Sequence, residues 1–310
     1  MIDSRTAKSI HLPNHKNTPA AAKDLFLERG FSRNAWMEAY RDGLLRCCGA
    51  PVGRNTKIPA KETMELLIPE EKSEYLPQKE VLSILYEDAH LLAVDKPADL
   101  PMLPVQGEDA GALVNRVQAY FDMAGIKRSI RFINRLDRGT SGVVLIAKHK
   151  YMQAALQTQM EEDKIQKRYV ALVDGRIDES RRMQILTPLK KETNGIRWQP
   201  DPDGKAAHTK FSVLYEGERS LLLVSPKTGR THQIRAHLYS IGHPVLGDEL
   251  YGGSGAERMY LHALSYGFTA WNGRRILVRT LPLSWHKTLG IPREVLQAKL
   301  AQTRSSSASL

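Results

Sequence analysis

The chain has 310 residues, 42% hydrophobic and 25% charged, with 45 Lys and Arg against 34 Asp and Glu for a net charge of +11. This composition excludes a disordered chain, and no apolar run reaches the ~20 residues of a membrane span. Cys47 and Cys48 are the only cysteines and are adjacent, which excludes a disulfide scaffold and a thiolate metal site; the basic excess fits a polyanion such as nucleic acid.

Residues 1–19 are polar and aperiodic and read as a leader that is loose or lies along the first domain. Met1-Ile2-Asp3-Ser4-Arg5 lacks the apolar core of a secretory signal, so a cytoplasmic location is expected. Residues 20–29 follow a helical period stopped by Gly30. Ser32 can cap a second helix over 33–42 that carries Ala35, Trp36 and Tyr40 at helical spacing. Extended runs at 44–48 and 63–68, with glycine-containing turns between them, complete a small unit over 20–69. Residues 70–80 are charged and proline-containing and read as a linker.

Beyond it, 83–87 and 91–94 predict a strand pair, and three prolines within 96–104 forbid helix. Leu113, Val117, Tyr120 or Phe121, and Ala124 place a helix with Gly125 as its stop. A short extended run at 131–133, a buried-type strand at 143–147, a helix over 150–163 and a strand over 167–173 follow. Residues 176–208 give no readable pattern. Strands are expected at 209–215 and 220–226, then a basic turn, Lys227-Thr228-Gly229-Arg230, into a helix that Gly242 stops. Strands at 259–270 and 274–281, a helix over 292–302 and a disordered serine-rich tail over 303–310 complete the chain.

The clearest chemistry lies in Arg135-Leu136-Asp137-Arg138-Gly139-Thr140-Ser141-Gly142. Fixed positive charge favours an ionised carboxylate, which suits Asp137 to act as an oxygen nucleophile or base. Taken alone, such a run is more often an ion-paired surface loop. Gly139 and Gly142 open backbone conformations closed to other residues. Other familiar sites fall away. The turn at 227–231 lacks the Gly-Lys pair of a phosphate loop, and His232 and His237, five apart on a helix, make a poor metal pair. No Gly-x-Ser-x-Gly elbow occurs.

The run at 135–142, then Lys167-Arg168-Tyr169-Val170-Ala171-Leu172-Val173-Asp174-Gly175, then Thr228-Gly229-Arg230-Thr231-His232-Gln233-Ile234-Arg235-Ala236-His237-Leu238 resemble, in order and spacing, the three motifs of the RluA-type pseudouridine synthases. Leu91-Leu92-Ala93-Val94-Asp95-Lys96-Pro97, Asp201-Pro202-Asp203-Gly204-Lys205, Gly247-Asp248-Glu249-Leu250-Tyr251-Gly252 and Leu261-His262-Ala263 support the resemblance, which covers about 80–285. The section 20–69 resembles the alpha-L RNA-binding motif through Gly30-Phe31-Ser32-Arg33, a basic second helix with Arg33 and Arg41, and a turn holding Arg54 and Lys57.

The resemblance implies isomerisation of uridine to pseudouridine in structured RNA, ribosomal or transfer, with no cofactor and no metal; a monomer is expected. It implies an α+β fold, with a mixed, mainly antiparallel central sheet and flanking helices over 81–302 and a small N-terminal α+β RNA-binding domain over 20–69. Position by position, Asp137 matches the catalytic aspartate, which attacks either the ribose carbon or the uracil ring. Tyr169 matches the tyrosine that stacks against the target base and is a candidate for aiding proton transfer. Arg235 matches the arginine that pairs with the aspartate. Arg138 and Arg230 are candidate phosphate contacts, and Arg33, Arg41 and Arg54 candidate RNA contacts of the first domain.

Three positions depart from the family pattern. Asn134 stands where histidine is common, Asp99 where a glycine usually follows Lys96-Pro97, and Cys47-Cys48-Gly49-Ala50-Pro51 where Val-Asn-Gly is usual in the alpha-L motif. None removes a catalytic group. The competing class is a noncatalytic RNA-binding or ribosome-associated factor on the same scaffold, and joint retention of Asp137, Tyr169 and Arg235 argues against it. A glycoside hydrolase is disfavoured because no second acid accompanies Asp137 in its motif.

Overall fold

The computed structural model describes residues 7–105, 107–178, 180, 182–193, 195–270 and 273–303. The first part runs β1 (Ser9–Pro13), β2 (Ala20–Ala21), α1 (Ala22–Glu28), α2 (Arg33–Arg41), β3 (Leu45–Cys47), β4 (Ala50–Pro51), β5 (Lys57–Ile58) and β6 (Thr63–Leu67). A four-stranded sheet has the order β1-β6-β3-β4, and β2 pairs with β5. Ser32 caps α2 as expected, its hydroxyl accepting the Ala35 N–H at 3.1 Å.

Of the two alternatives for the leader, β1 takes the second and lies along the first part as a sheet strand. Ile10 and Leu12 are buried, and all five residues pair with β6. Two apolar residues are too few for the alternation to stand out from a polar stretch. Residues 1–6 lie outside the described residues.

The second part runs β7 (Ser83–Glu87), β8 (Leu91–Lys96), α3 (Leu113–Met123), β9 (Arg131–Phe132), β10 (Ser141–Ala147), α4 (Lys150–Glu161), β11 (Gln166–Asp174), β12 (Arg182–Ile185), β13 (Leu189–Lys191) and β14 (Trp198–Pro200). It continues through β15 (Thr209–Tyr215), β16 (Arg219–Pro226), α5 (Gln233–Ser240), β17 (Leu261–Thr269), β18 (Arg275–Arg279), α6 (His286–Leu289) and α7 (Arg293–Gln302). Ten strands form one sheet of order β12-β15-β16-β11-β17-β10-β8-β7, with β18 on β17 and β9 on β10. Its pairings are antiparallel except for a short parallel contact of Ser141 and Gly142 with His262 and Ala263. The fold is thus α+β, with a mixed, mainly antiparallel sheet.

The central strands are buried on both faces, which is why they read as unbroken apolar runs. Along β11, Tyr169, Ala171 and Val173 join the core that holds α3, α4 and α5, while Val170 and Leu172 face Trp285 and the Leu296 and Leu300 side of α7. Strands β12, β13 and β14 occupy the stretch that gave no readable pattern, because their polar, proline-bounded segments lack a period-2 signal.

The two parts share a packed junction. Tyr151 of α4 is buried in the core of the first part with Phe26, Phe31 and Trp36. Arg128 donates to the carbonyls of Ala7, Ile68 and Pro69. The linker is held as well: Glu71 pairs with Arg131 at 2.7 Å, and Asn115 Nδ2 donates to the Leu76 carbonyl at 2.8 Å. The tail expectation changes at Thr303, whose buried hydroxyl donates to the Leu300 carbonyl at 2.6 Å. Residues 304–310 lie outside the described residues. Among the described residues, no helix is long and apolar enough to cross a membrane.

Candidate active site

The loop carrying Asp137 joins β9 to β10 and is clamped at both ends. At its start, Asn134 Nδ2 donates to the Val143 carbonyl at 3.0 Å and Oδ1 accepts the Leu145 N–H at 2.8 Å. The departure from histidine therefore supplies a two-sided amide that ties the loop to the strand it enters. At its end, Gly142 has φ +112°, and a Cβ there would lie 2.3 Å from the Ala263 carbonyl oxygen. Only glycine lets β10 approach β17 this closely. Gly139 has no positive φ; its lack of a side chain makes room for Met259, 3.2 Å from where a Cβ would sit.

Under the loop lies Lys96, with no exposed surface. Its Nζ donates to the carbonyls of Pro97, Leu100 and Arg138 at 2.9, 2.7 and 3.0 Å, joining the proline-containing turn to the Asp137 loop. Burial pulls the amine down to about 7, although three carbonyl acceptors use all three hydrogens of the ammonium form. Asp99 sits in the turn at φ +61°, the left-handed region where aspartate is among the better tolerated replacements for glycine.

Arg235 reaches the loop from α5. The turn before this helix is stitched by Gln233, whose Oε1 accepts from the Thr228 hydroxyl (2.6 Å) and the Arg230 N–H (3.0 Å). Its Nε2 donates to the His208 carbonyl and the Thr209 hydroxyl oxygen. His237 contacts the Thr209 hydroxyl and the Thr187 carbonyl, so its role is to hold the helix in place. With the helix so fixed, Arg235 Nη1 donates to Asp137 Oδ2 at 3.0 Å. Its Nε and Nη2 donate to Asp248 Oδ2 and Oδ1 at 2.6 and 2.8 Å. Burial disfavours the guanidinium cation, but the two carboxylates outweigh that and hold its pKa above the ordinary value. No ion pair links Asp137 to Arg135 or Arg138 among the described contacts; both arginines are exposed.

Tyr169 lies where the pairing of β11 with β17 slips. Arg168 is opposite Ser265 and Val170 opposite His262, so two β17 residues face Tyr169 alone. This bulge falls beside Ala263, the residue on which Gly142 rests, and it brings the tyrosine and the Asp137 loop to one place. Tyr169 is 8% exposed, and its hydroxyl contacts that of Tyr266 at 2.6 Å. Burial raises its phenol well above the ordinary range, and the nearby Asp137 charge adds to this.

Three neighbours carried no role in the sequence reading. Asp248 and Tyr251 belong to a segment that resembled the family without an assigned part; Tyr251 stacks under the Arg235 guanidinium, 5.0 Å from ring centroid to Cζ. His232, at φ +53°, places Nε2 at 4.0 Å from Asp137 Oδ2 and Nδ1 at 3.3 Å from the Tyr251 hydroxyl. Burial lowers its imidazole pKa, with Arg235 acting in the same direction and Asp137 against it. Chain separation hid these contacts, since nothing local ties residue 248 to residue 137.

The remaining predicted residues make no side-chain hydrogen bond or ion pair with Asp137, Tyr169 or Arg235 among the described residues. Arg138 and Arg230 are exposed, and their Nε atoms donate to the carbonyls of Asp99 and Ala206. Arg33, Arg41 and Arg54 are exposed on the first part of the chain. Among the described residues, no group of three or more His, Cys, Asp or Glu side chains is arranged to hold a metal ion.

The sequence pattern of the RNA pseudouridylate synthase family matches residues 90–240. Over 242 residues the chain is 36% identical to an uncharacterized RNA pseudouridine synthase of Aquifex aeolicus, covering 74% of this chain and 76% of that one. Over 213 residues it is 36% identical to ribosomal large subunit pseudouridine synthase C of Vibrio cholerae, covering 66% of each. The structure of human RNA pseudouridylate synthase domain containing 1 is similar with a TM-score of 0.55 and 27% identity, covering 65% of this chain and 83% of that one. Fold, site and these likenesses together define the class, an isomerase of the RNA-modifying kind. Within that class the chain belongs to the RluA-type RNA pseudouridine synthase family.

Proposed function

We propose that the protein converts uridine to pseudouridine in structured RNA, ribosomal or transfer, with Asp137 as the nucleophile. The bond from uracil N1 to ribose C1′ breaks, a bond from C5 to C1′ forms, the C5 hydrogen is lost and N1 gains one. The change is an isomerisation with no net oxidation. Asp137 attacks either the ribose carbon or the uracil ring; both routes need an ionised, oriented carboxylate. The observation that carries this reading is the 3.0 Å contact of Arg235 with Asp137 in a chain of this family. A single guanidinium hydrogen bond orients the carboxylate, whose side chain is 28% exposed and open to a substrate.

Tyr169 supplies the wall against which an extruded uracil lies. Arg138 and Arg230 contact RNA phosphates near the site, and Arg33, Arg41 and Arg54 hold RNA through the first domain, 20–69. The name of the Vibrio relative makes large-subunit ribosomal RNA the first substrate to test. The experiment is pseudouridine mapping in total RNA from cells with the gene, without it, and with Asp137→Ala in its place. At least one uridine should be modified only in the first. A map identical in all three would overturn the proposal.

A further inference from the structure

Two tyrosines share one hydrogen bond at the side of this cleft. The Tyr169 and Tyr266 oxygens are 2.6 Å apart, with ring planes at 70°. Tyr266 is 1% exposed. A phenol hydroxyl is costly in an apolar interior without a partner, and phenylalanine would fill either position without that cost. Each hydroxyl brings one hydrogen and the contact uses one.

Strand β17 fixes Tyr266: its backbone stands opposite Lys167 of β11 on one side and Val278 of β18 on the other. Its hydroxyl therefore holds that of Tyr169 at a set distance, whichever oxygen donates.

We propose that Tyr266 is a positioning residue for the isomerisation: its hydroxyl fixes the ring and phenol oxygen of Tyr169 against the target base. This rests on the reading of Tyr169 as a wall of the uracil pocket. The effect of Tyr266 reaches the substrate only through Tyr169.

The test uses RNA prepared from cells lacking the gene and carrying tritium at uridine C5, so that tritium release reports the loss of the C5 hydrogen. Phenylalanine at 266 keeps the ring volume, and a thermal melt checks that the variant folds. Tyr266→Phe should lower kcat about tenfold, the worth of one hydrogen bond, with KM for the RNA unchanged within about twofold. In a Tyr169→Phe background the same substitution should have no further effect. The role is overturned by an unchanged kcat, by a loss confined to KM, or by an equal loss in both backgrounds. Wild-type protein that releases no more tritium than Asp137→Ala would instead overturn the proposed function, and this role with it.

Discussion

Arg235 offers Asp137 only one of its nitrogens, because Asp248 occupies the other two. Asp248 is buried and accepts both bonds at 2.6 and 2.8 Å, so the planar guanidinium is gripped from behind and its remaining edge is aimed at the loop. Lysine cannot reproduce this, since an ammonium has no fixed fork.

Removal of Asp248 should therefore be felt twice. Asp248→Ala leaves a buried guanidinium with half its partners and should destabilise the fold by about 3–5 kcal/mol, read from urea unfolding. Asp248→Asn keeps the volume and should lower kcat more than KM, because Arg235 loses its aim while the RNA-facing surface is intact. Wild-type kcat in a folded Asp248→Asn protein would refute the aiming role.

Gly142→Ala should act on folding before it acts on chemistry. The added methyl group would meet the Ala263 carbonyl oxygen at 2.3 Å on a backbone with positive φ. Overpacking of this kind costs about 1–3 kcal/mol, to which the φ adds about 1 more. Thermal melting measures the loss, and Gly139→Ala, which meets the flexible Met259 side chain, should lose less.

Acidification should weaken the protein through two histidines at the junction of its parts. His149 Nδ1 accepts the Met152 N–H at the start of α4, so its proton is on Nε2 and is donated to His90 Nδ1 at 2.9 Å. Burial lowers the pKa of both imidazoles, and the neutral forms are the ones folded. The unfolded chain binds protons below its ordinary pKa of about 6.5 and the folded chain does not, so their contribution is full above about pH 6.5 and falls as pH drops below it. Melting temperatures at pH 7.5 and 5 should differ, and His149→Asn, which keeps a capping acceptor, should narrow the gap. An unchanged gap would place the acid sensitivity elsewhere.

Arg230 is exposed and fixed by a 3.0 Å bond to the Ala206 carbonyl, which presents its guanidinium at the turn preceding α5. In an Asp137→Asn background, Arg230→Ala should weaken RNA binding and reduce the salt slope of log K by about one phosphate contact. Unchanged affinity and slope would remove it from the RNA interface.

Much was legible along the chain because it depended on neighbours in sequence: the Ser32 cap, the apolar runs of β8, β10 and β11, the ordered motifs, and Asp137 with Arg235 through family resemblance. Strand β1 was missed because its buried side chains are only two. The strands within 176–208 were missed because an edge segment rich in charge carries no period. The first part's likeness to the alpha-L motif rests on its sequence, and its arginines Arg33, Arg41 and Arg54 are exposed.

What sequence by itself determined was the set of chemical groups and the elements that carry them, since capping, alternation and glycine placement act over a few residues. Tertiary structure decided the partners. Arg235 meets both Asp137 and Asp248, Tyr169 meets Tyr266 across a bulge, and Lys96 lies beneath the loop with its charge spread over three carbonyls. Hydrogen bonds and ion pairs act over about 3 Å in space and are indifferent to separation along the chain, so only the folded sheet brings these groups within reach.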